Sequence, residues 1–199
     1  MDTYITRLCW NENRWKKPSG SAAKLENGTF NVRFGFGFEE WLFSSKFEIN
    51  NWRYGFVQGV NKSQKRLAGH DISLLLYTIA PNRQRYFVGE IQHCQVLTPS
   101  EADTAHSLLE KNGVINQMIE DVLAVRGNAD FIKDKSYIHK WTLDVINIRY
   151  QPQHLLLYRE LISIPEYSRV WNYSRYQLIR ANEERIEEWI RDARSRAIV

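Results

Sequence analysis

An aromatic stretch with interleaved glycines and a pair of carboxylates is the part of the chain best suited to chemistry on a flat ligand. Between residues 35 and 56 the chain holds five Phe, two Trp and one Tyr, together with three Gly and the adjacent Glu39 and Glu40. A core strand does not need glycines that expose its backbone, and a loop does not need this much aromatic surface. The mixture predicts a site where rings and main chain approach a ligand together, although the same rings could fill the core of a small β-barrel.

A second aromatic and basic segment lies upstream, between residues 10 and 20. Trp10 and Trp15 flank Asn and Arg residues, two Lys follow, and Pro-Ser-Gly closes the segment, which predicts a loop. An indole stacked on a base contributes ~1–3 kcal/mol, and basic side chains bind phosphates. Two alternatives stay open: Trp10 could be a core residue with only Trp15 at the surface, and the basic side chains could form a solvated face.

The two segments together predict a pocket that holds a single base. The expected walls are Trp10, Trp15, Phe36, Phe38, Trp41 and Tyr54, the groups that read the base edge are Asn11 and Glu40, and the groups that bind phosphates are Arg14, Lys16, Lys17 and Ser19. This assignment uses rings for stacking, an amide and a carboxylate for hydrogen bonds, and cations for charge.

The adjacent glutamates carry the polar chemistry of this predicted pocket. If residues 39–43 continue as a strand, Glu39 and Glu40 point to opposite faces, so at most one of them faces the pocket. That carboxylate could accept a hydrogen bond from the exocyclic amine of cytosine, or act as a general base if burial raised its pKa. The structural alternative is an ion pair with Arg33, Arg53 or Lys46.

The charge distribution places the basic excess in the same half of the chain as the aromatic segments. Residues 1–99 contain 13 Lys and Arg against 8 Asp and Glu, whereas residues 100–199 contain 14 against 15. Cations beside aromatic rings are typical of nucleic-acid binding, where they meet phosphates and bases. The net charge of +4 is by itself also common in proteins that bind no nucleic acid.

The sequence indicates neither a metal or cofactor site nor a membrane protein. The five histidines are scattered without metal-ligand spacing, and the chain has no GxSxG elbow, HExxH pair, phosphate loop or dinucleotide fingerprint. We therefore expect no metal, no cofactor, and a binding protein rather than an enzyme. Cys9 and Cys94 lie in apolar runs, which predicts buried free thiols in a reducing cytoplasm. The acidic start and the short apolar runs predict neither a signal peptide nor a membrane span.

Apolar runs and alternation predict the strands that must position these residues. The most hydrophobic run, residues 72–80, predicts a central strand buried on both faces. The chain then returns as a long strand over residues 85–97, with a bulge at Gly89. Further strands are predicted over residues 4–10, 29–34, 54–60 and 137–148.

Helices are predicted mainly in the second half of the chain. Thr98 can cap a helix, Pro99 fits the first helical position and Glu101 completes a capping box. The apolar face of this helix is interrupted at Asn112-Gly113 and resumes up to residue 125. A second unit, residues 178–199, carries an amphipathic helix from Leu178 to Ala197 that we expect to pack on a domain of residues 1–177.

The paired strands around Gly89 resemble a known family. Leu74–Ile79 and Tyr86–Ile91, with an apolar-Gly-apolar step and a helix that opens at Thr98, are similar to PUA-like β-barrels of the EVE, ASCH and YTH groups. Trp171–Ser174 resembles a second site-lining segment of some of those proteins, and the Trp10–Trp41 region looks like DNA-reading modules attached to modification-dependent nucleases. The resemblance implies an aromatic cage around a methylated or hydroxymethylated base taken out of the stack.

Residues and resemblance together predict an α+β protein with a mixed, strongly curved sheet or PUA-like β-barrel, flanking helices and a C-terminal helix. The leading hypothesis is a cytoplasmic reader of a modified, cytosine-type base in nucleic acid, DNA rather than RNA, as the base-flipping reader part of a modification-dependent restriction or other defence system. Two alternatives stay open. One is a glycosylase or nuclease that uses Glu39 or Glu40, and the other is a protein-interaction module that docks on a partner chain or a nuclease domain.

Overall fold

The computed structural model describes residues 1–21, 30–134, 142–181 and 187–195, and these residues form an α+β fold around one mixed sheet. The strands described are β1 (Asp2–Leu8), β2 (Glu48–Ile49), β3 (Trp52–Gly55), β4 (Asp71–Ile79), β5 (Arg85–Val96), β6 (Ile148–Tyr150), β7 (Leu155–Ser163) and β8 (Ile179–Ala181). The α-helices described are α1 (Phe30–Phe34), α2 (Gln58–Asn61), α3 (Gln64–Leu67), α4 (Pro99–Lys111), α5 (Val114–Ala124), α6 (Asp130–Lys133) and α7 (Glu188–Ser195).

The strand order of the sheet is β2-β3-β6-β5-β4-β1-β8, and β7 pairs with β5 off this path. β1 and β4 are parallel, and the other pairs are antiparallel. Among the described strands the two ends of the path, β2 and β8, do not pair with each other, so the sheet is open. The α+β class with a mixed sheet is confirmed, whereas the described strands do not close into the expected barrel.

β4 is the central buried strand that its apolar run predicts. It lies between β5 and β1, and every one of its residues except Asp71 is buried. Alternate side chains leave opposite faces of a strand, so Leu74 and Leu76 belong to one core cluster whereas Leu75 and Tyr77 belong to another. β4 therefore supports side chains on both faces of the sheet.

β5 divides the sheet because it pairs with three other strands. Its residues 86–91 pair with β7, and its residues 95–96 pair with β6. The register shifts between Phe87 and Gly89, which confirms the predicted bulge. A Cβ on Gly89 would lie 2.4 Å from the carbonyl oxygen of Leu156, so the close approach of β7 requires glycine there.

The helix that begins after Thr98 is confirmed in its details. The Glu101 N–H donates to the Thr98 hydroxyl at 3.4 Å, and the Thr98 N–H donates to the Glu101 carboxylate at 2.8 Å, which is a capping box. Pro99 occupies the first turn. The predicted break also occurs, because Gly113 has φ 75 and separates α4 from α5.

Two segments of the first half are helical, and for the first of them alternation predicted a strand. Residues 30–34 form α1 (Thr29 lies outside the described residues), and both Phe30 and Phe34 contact Phe131, with ring centroids 5.1 and 5.6 Å away. Residues 38–41, which overlap the segment predicted as a strand or tight turn over residues 39–43, form a 3-10 helix. A five-residue alternation also matches one helical turn with aromatic rings at i and i+4, and packing on Phe131 favours the helix.

The strand predicted over residues 54–60 is shorter than expected. β3 ends at Gly55, where the structure turns toward α2, which begins at Gln58. Of the late strand predicted over residues 137–148, residues 135–141 lie outside the described part of the chain. The described remainder is a 3-10 helix over Thr142–Asp144 that leads to the short β6.

The helix predicted from Leu178 begins only at Glu188. Residues 179–181 form β8 instead, because they pair antiparallel with β1 as the last strand at one edge of the sheet. α7 then packs on the sheet, with Ile190 and Ala193 buried and the Trp189 ring 5.6 Å from Phe87. Both predicted thiols, Cys9 and Cys94, are confirmed as buried and free.

Candidate nucleic-acid interface

Four of the predicted pocket walls are core residues. Phe36, Phe38, Trp41 and Tyr54 lie in one hydrophobic cluster with residues of α4 and α5, and none of the four is more than 8% exposed. The Phe36 ring lies 5.3 Å from Phe38 and 5.8 Å from Trp41. Rings packed on each other in this way bury their apolar area against the protein itself, which is favourable without a ligand. As walls of a base pocket these four residues stay a prediction that their contacts do not support.

Trp15 is also a core residue, which is the reverse of the surface position considered for it. Its side chain is fully buried, its indole N–H donates to the Cys9 carbonyl at 2.9 Å, and its ring meets the Phe43 ring edge-on at 6.0 Å. Trp10 is the more exposed of the two tryptophans, since it is only half-buried. Of the six expected walls, Trp10 alone stays near the surface.

Asn11 and Glu40, the two groups expected to read a base edge, form hydrogen bonds with each other and with the loop over residues 10–20. The Asn11 side-chain amide donates to the Glu40 carboxylate at 2.7 Å and to the Lys17 carbonyl at 2.8 Å. Glu40 also accepts the N–H groups of Gly37 and Ser19, at 2.8 and 3.0 Å. Both side chains are buried. Their hydrogen bonds fold the loop rather than point to a ligand.

Glu39 holds two distant main-chain segments together. One of its oxygens accepts the Cys9 N–H at 2.7 Å, and the other accepts the Gln58 N–H at 2.8 Å. Burial raises the pKa of Glu39 to about 7, against the opposing effects of these N–H groups and of the Arg7 charge. Both glutamates are buried on the 3-10 helix, so the strand geometry from which at most one was expected to face a pocket does not apply to them. Arg53 pairs with Glu48 at 2.9 Å instead of with either of them.

The expected phosphate-binding groups separate into structural and exposed ones. Arg14, at φ 56, donates to the carbonyl oxygens of Tyr158 and Arg159 and so ties the loop to β7. The Ser19 hydroxyl accepts the Glu12 N–H at 2.8 Å. Lys16 and Lys17 are exposed, and their role in binding phosphate stays a prediction.

Trp10 lies beside Tyr86 at the end of the sheet where β1 and β4 finish and β5 begins. The two ring centroids are 6.3 Å apart, and both side chains are half-buried. Trp10 follows Cys9, whose N–H is held by Glu39. The glutamate thus positions the chain at this point.

On the neighbouring face of the same end of the sheet, two arginines flank a tyrosine. Arg7 of β1 is the register partner of Tyr77 of β4, and Tyr77 is the partner of Phe87 of β5, two residues from Arg85. Side chains two residues apart on a strand share a face. We call Arg85, Tyr77 and Arg7 the basic row.

A segment from the second half of the chain, residues 171–176, crosses the basic row, and we call it the strap. It contacts every member of the row. The Arg85 guanidinium lies 4.7 Å from the Trp171 ring, and the Tyr77 hydroxyl donates to the Tyr173 carbonyl at 3.1 Å. Arg7 lies 4.5 Å from the Tyr176 ring and also donates to the Ser174 carbonyl. The strap therefore runs across β5, β4 and β1 in turn.

The electrostatics around Arg85 are positive. Within the described residues no carboxylate forms an ion pair with Arg85, and its buried Nε has no hydrogen-bond partner. Burial lowers the pKa of the Arg85 guanidinium; the Tyr77 phenol opposes this, and the Arg7 charge adds to it. Burial also raises the pKa of Tyr77, which the two arginines oppose.

The sequence carried a signal for the strap that the pocket assignment did not use. Tyr167, Trp171, Tyr173 and Tyr176 alternate with Arg169 and Arg175 in a short polar stretch, which is typical of a binding surface. Arg7 and Arg85 could not be assigned in this way, because each is a single cation in a strand-like run. Only the sheet register brings them together under the strap.

In comparisons with known proteins, the chain matches no protein-family model, no curated protein and no solved structure. Within the described ranges, no three His, Cys, Asp or Glu side chains are grouped as a metal site would need. No helix in those ranges is long and apolar enough to cross a membrane.

Proposed function

We propose that the protein binds nucleic acid across the end of the sheet that carries Trp10, Tyr86, the basic row and the strap. One observation carries the proposal: Arg85 is stacked on Trp171, half-buried, without a carboxylate partner in the described residues. A cation that no carboxylate neutralises attracts phosphate, and adjacent rings offer faces for bases.

A second arginine on a tryptophan shows what a purely structural pair looks like in this fold. Arg149 lies 4.8 Å from the Trp52 ring, much as Arg85 lies on Trp171. Arg149, however, donates to Gln95 at 2.8 Å and pairs with Glu101 at 3.5 Å. Its charge and donors are used inside the fold. The contrast supports a ligand role for Arg85.

The base that we propose for this surface is an unpaired, modified base of the cytosine type in DNA. Trp10 and Tyr86 supply half-buried rings on which such a base can stack. The resemblance of the paired strands around Gly89 to PUA-like barrels supports a modified base, and with it a reader role in a modification-dependent defence system. Taking the base out of a duplex costs a few kcal/mol, which stacking has to offset.

The contacts lend less support to the two alternative functions. For a glycosylase or nuclease, Glu39 and Glu40 would have to reach a substrate, but each of their oxygens accepts an N–H group of this chain. For a docking module, α7 would have to offer an apolar face. Its Ile190 and Ala193 are already buried against the sheet.

The test is a binding titration with fluorescently labelled oligonucleotides at low salt. We expect the protein to bind DNA, and to bind DNA with modified cytosine more tightly than plain DNA. Arg85→Gln should weaken binding about tenfold or more, since a hydrogen bond to a charged group contributes ~1.5–3 kcal/mol. Arg149→Gln is the matched control and should leave the affinity unchanged.

Two results would contradict the proposal. If the unaltered protein binds no oligonucleotide at low salt, it is not a nucleic-acid-binding protein. If Arg149→Gln weakens binding as much as Arg85→Gln, the effect is a general loss of positive charge rather than a site. Equal affinity for plain and modified DNA would contradict the preference for a modified base, but not the proposal that this surface binds DNA.

A further inference from the structure

We propose that the basic row is a binding site for one phosphate group, which the N–H donors of the Arg85 guanidinium hold while this group stays over the Trp171 ring. This inference rests on the proposed function where the phosphate belongs to a nucleic acid. It goes further in assigning one ligand group to one residue, and it can be tested without a polynucleotide.

The geometry of a guanidinium allows both contacts at once. Stacking on an indole uses the face of the planar group, whereas its five N–H donors lie in the plane and point outward from the edge. One acceptor is described for the Arg85 guanidinium, the Arg83 carbonyl, which lies 3.5 Å from Nη1. Nε is buried without a partner in the described part of the chain, so a phosphate would meet the two Nη groups. A phosphate presents oxygens that match this fork in pairs.

The charges around the basic row favour an anion over a neutral ligand. The described groups that act electrostatically on Arg85 are Tyr77 and Arg7, and those that act on Tyr77 are Arg7, Arg85 and Tyr173. None of them is a carboxylate. Arg7 acts electrostatically on the carboxyl group of Glu39, which is buried and held by two main-chain N–H groups. An anion at Arg85 would relieve the repulsion between the two guanidinium groups.

The position of the basic row also fits a phosphate between two bases. Arg85 and Tyr86 are consecutive in β5, so their side chains leave opposite faces at the same end of the sheet. A strand of nucleic acid that crosses this end can stack a base beside Tyr86 and Trp10 and pass its phosphate to Arg85. Two exposed arginines add positive charge to these segments: Arg83 in the turn before β5, and Arg175 in the strap.

The first experiment measures how affinity for a single-stranded oligonucleotide depends on salt. One lost phosphate contact lowers the slope of log K against log salt by about 0.7 for a single strand. We expect Arg85→Gln to show this smaller slope. Arg85→Lys, which keeps the charge without the fork, should keep the slope at lower affinity. Arg149→Gln should match the unaltered protein.

The second experiment uses inorganic phosphate as the probe. The thermal unfolding temperature is measured in phosphate and in chloride at equal ionic strength and pH. We expect phosphate to raise the unfolding temperature of the unaltered protein and of Arg149→Gln more than that of Arg85→Gln, which should keep only the general stabilisation by an excluded anion.

The outcomes separate this inference from the proposed function. Weaker oligonucleotide binding of Arg85→Gln with an unchanged salt slope would overturn the phosphate site but keep nucleic-acid binding. If the unaltered protein binds no oligonucleotide, the proposed function fails, and a phosphate effect that depends on Arg85 would still support the anion site. The absence of that effect would overturn the site as well.

Discussion

Glu39 is a buried carboxyl group whose pKa is raised to about 7, and this has a consequence for stability. Between pH 4.5, the ordinary pKa of a glutamate, and a pH of about 7, Glu39 is protonated in the folded protein and ionised in the unfolded chain. Because the folded state then binds more protons, the free energy of unfolding falls as the pH rises through this window. The slope is at most about 1.4 kcal/mol per pH unit for a single group.

Glu39→Gln should remove this contribution. The amide resembles the protonated acid, so we expect the free energy of unfolding to vary less between pH 4.5 and pH 7 than in the unaltered protein. Urea unfolding at several pH values measures this difference. Glu48→Gln is the control, because Glu48 is partly exposed and pairs with Arg53. An unchanged pH slope in Glu39→Gln would show that Glu39 is ionised throughout.

The two arginine–tryptophan contacts have nearly the same distance but differ in the charged groups beside the arginine. Arg85 and Arg149 lie 4.7 and 4.8 Å from their tryptophan rings, yet only Arg149 has a carboxylate beside it in the described residues. A ring contact alone is therefore no evidence for a ligand site. The unused charge at Arg85 is what distinguishes it.

Among the elements, α7 is held on the sheet by a buried ion pair as well as by apolar contacts. Arg194 donates to both oxygens of Glu90 in β5, at 2.8 and 3.1 Å, and the Glu90 side chain is 3% exposed. Two bonds from one guanidinium to one carboxylate fix the orientation of the helix. The phenol of Tyr158 lies in the same region, where burial raises its pKa to about 12.

Arg194→Met should destabilise the protein strongly. It leaves the Glu90 carboxylate buried without this cation, which costs about 3–5 kcal/mol in comparable cases. Chemical unfolding measures the loss. Arg191→Met on the same helix is the control, since Arg191 is exposed and should change stability little. The double variant Glu90→Leu with Arg194→Met should recover part of the stability; if it does not, the apolar contacts of α7 rather than the ion pair determine the loss.

The loop over residues 10–20 is an element shaped from outside its own sequence. Besides the hydrogen bonds within the loop, Glu40 of the 3-10 helix over Phe38–Trp41 accepts from Asn11 and Ser19, and Glu39 holds Cys9 just before the loop. The two aromatic segments that the sequence singles out do meet, as expected. They meet as parts of a core rather than as walls of a pocket.

At the scale of the whole molecule, the proposed boundary between residues 177 and 178 can be tested by truncation. β8 pairs with β1, and α7 buries Ile190 against the sheet, so a chain of residues 1–177 should be much less stable. The loss of one buried Ile alone corresponds to ~1.5–3 kcal/mol. Thermal unfolding compares this chain with residues 1–195, which keep both elements. Equal stability would show that residues 1–177 fold as an independent domain.

The sequence predicts those parts of the fold that local signals determine. β4 follows from its apolar run, and the start of α4 follows from Thr98, Pro99 and Glu101, because capping chemistry is local. α1 and β8 could not be predicted, since packing on Phe131 and pairing with β1 decide them. Alternation within five residues or fewer does not distinguish a strand from a helical turn.

The candidate site was predicted only in its residue types. Aromatic rings and basic groups were expected near the start of the chain, and Trp10 is the expected wall that stays near the surface. The sequence does not show which rings are buried, because a core and a stacking surface use the same residues. It also does not show that Arg7 and Arg85 share a face, because that depends on strand register.

The strap makes the candidate site a late product of folding. The hydrogen bond from Arg7 to the Ser174 carbonyl joins residues 167 positions apart in the chain. Contacts between such distant residues form slowly, because a long loop must close before they can be made. During synthesis, β1 leaves the ribosome long before the strap does. The surface that we propose for nucleic acid therefore cannot form before the strap has been synthesised. Nucleic-acid binding requires that the sheet and the strap have already come together.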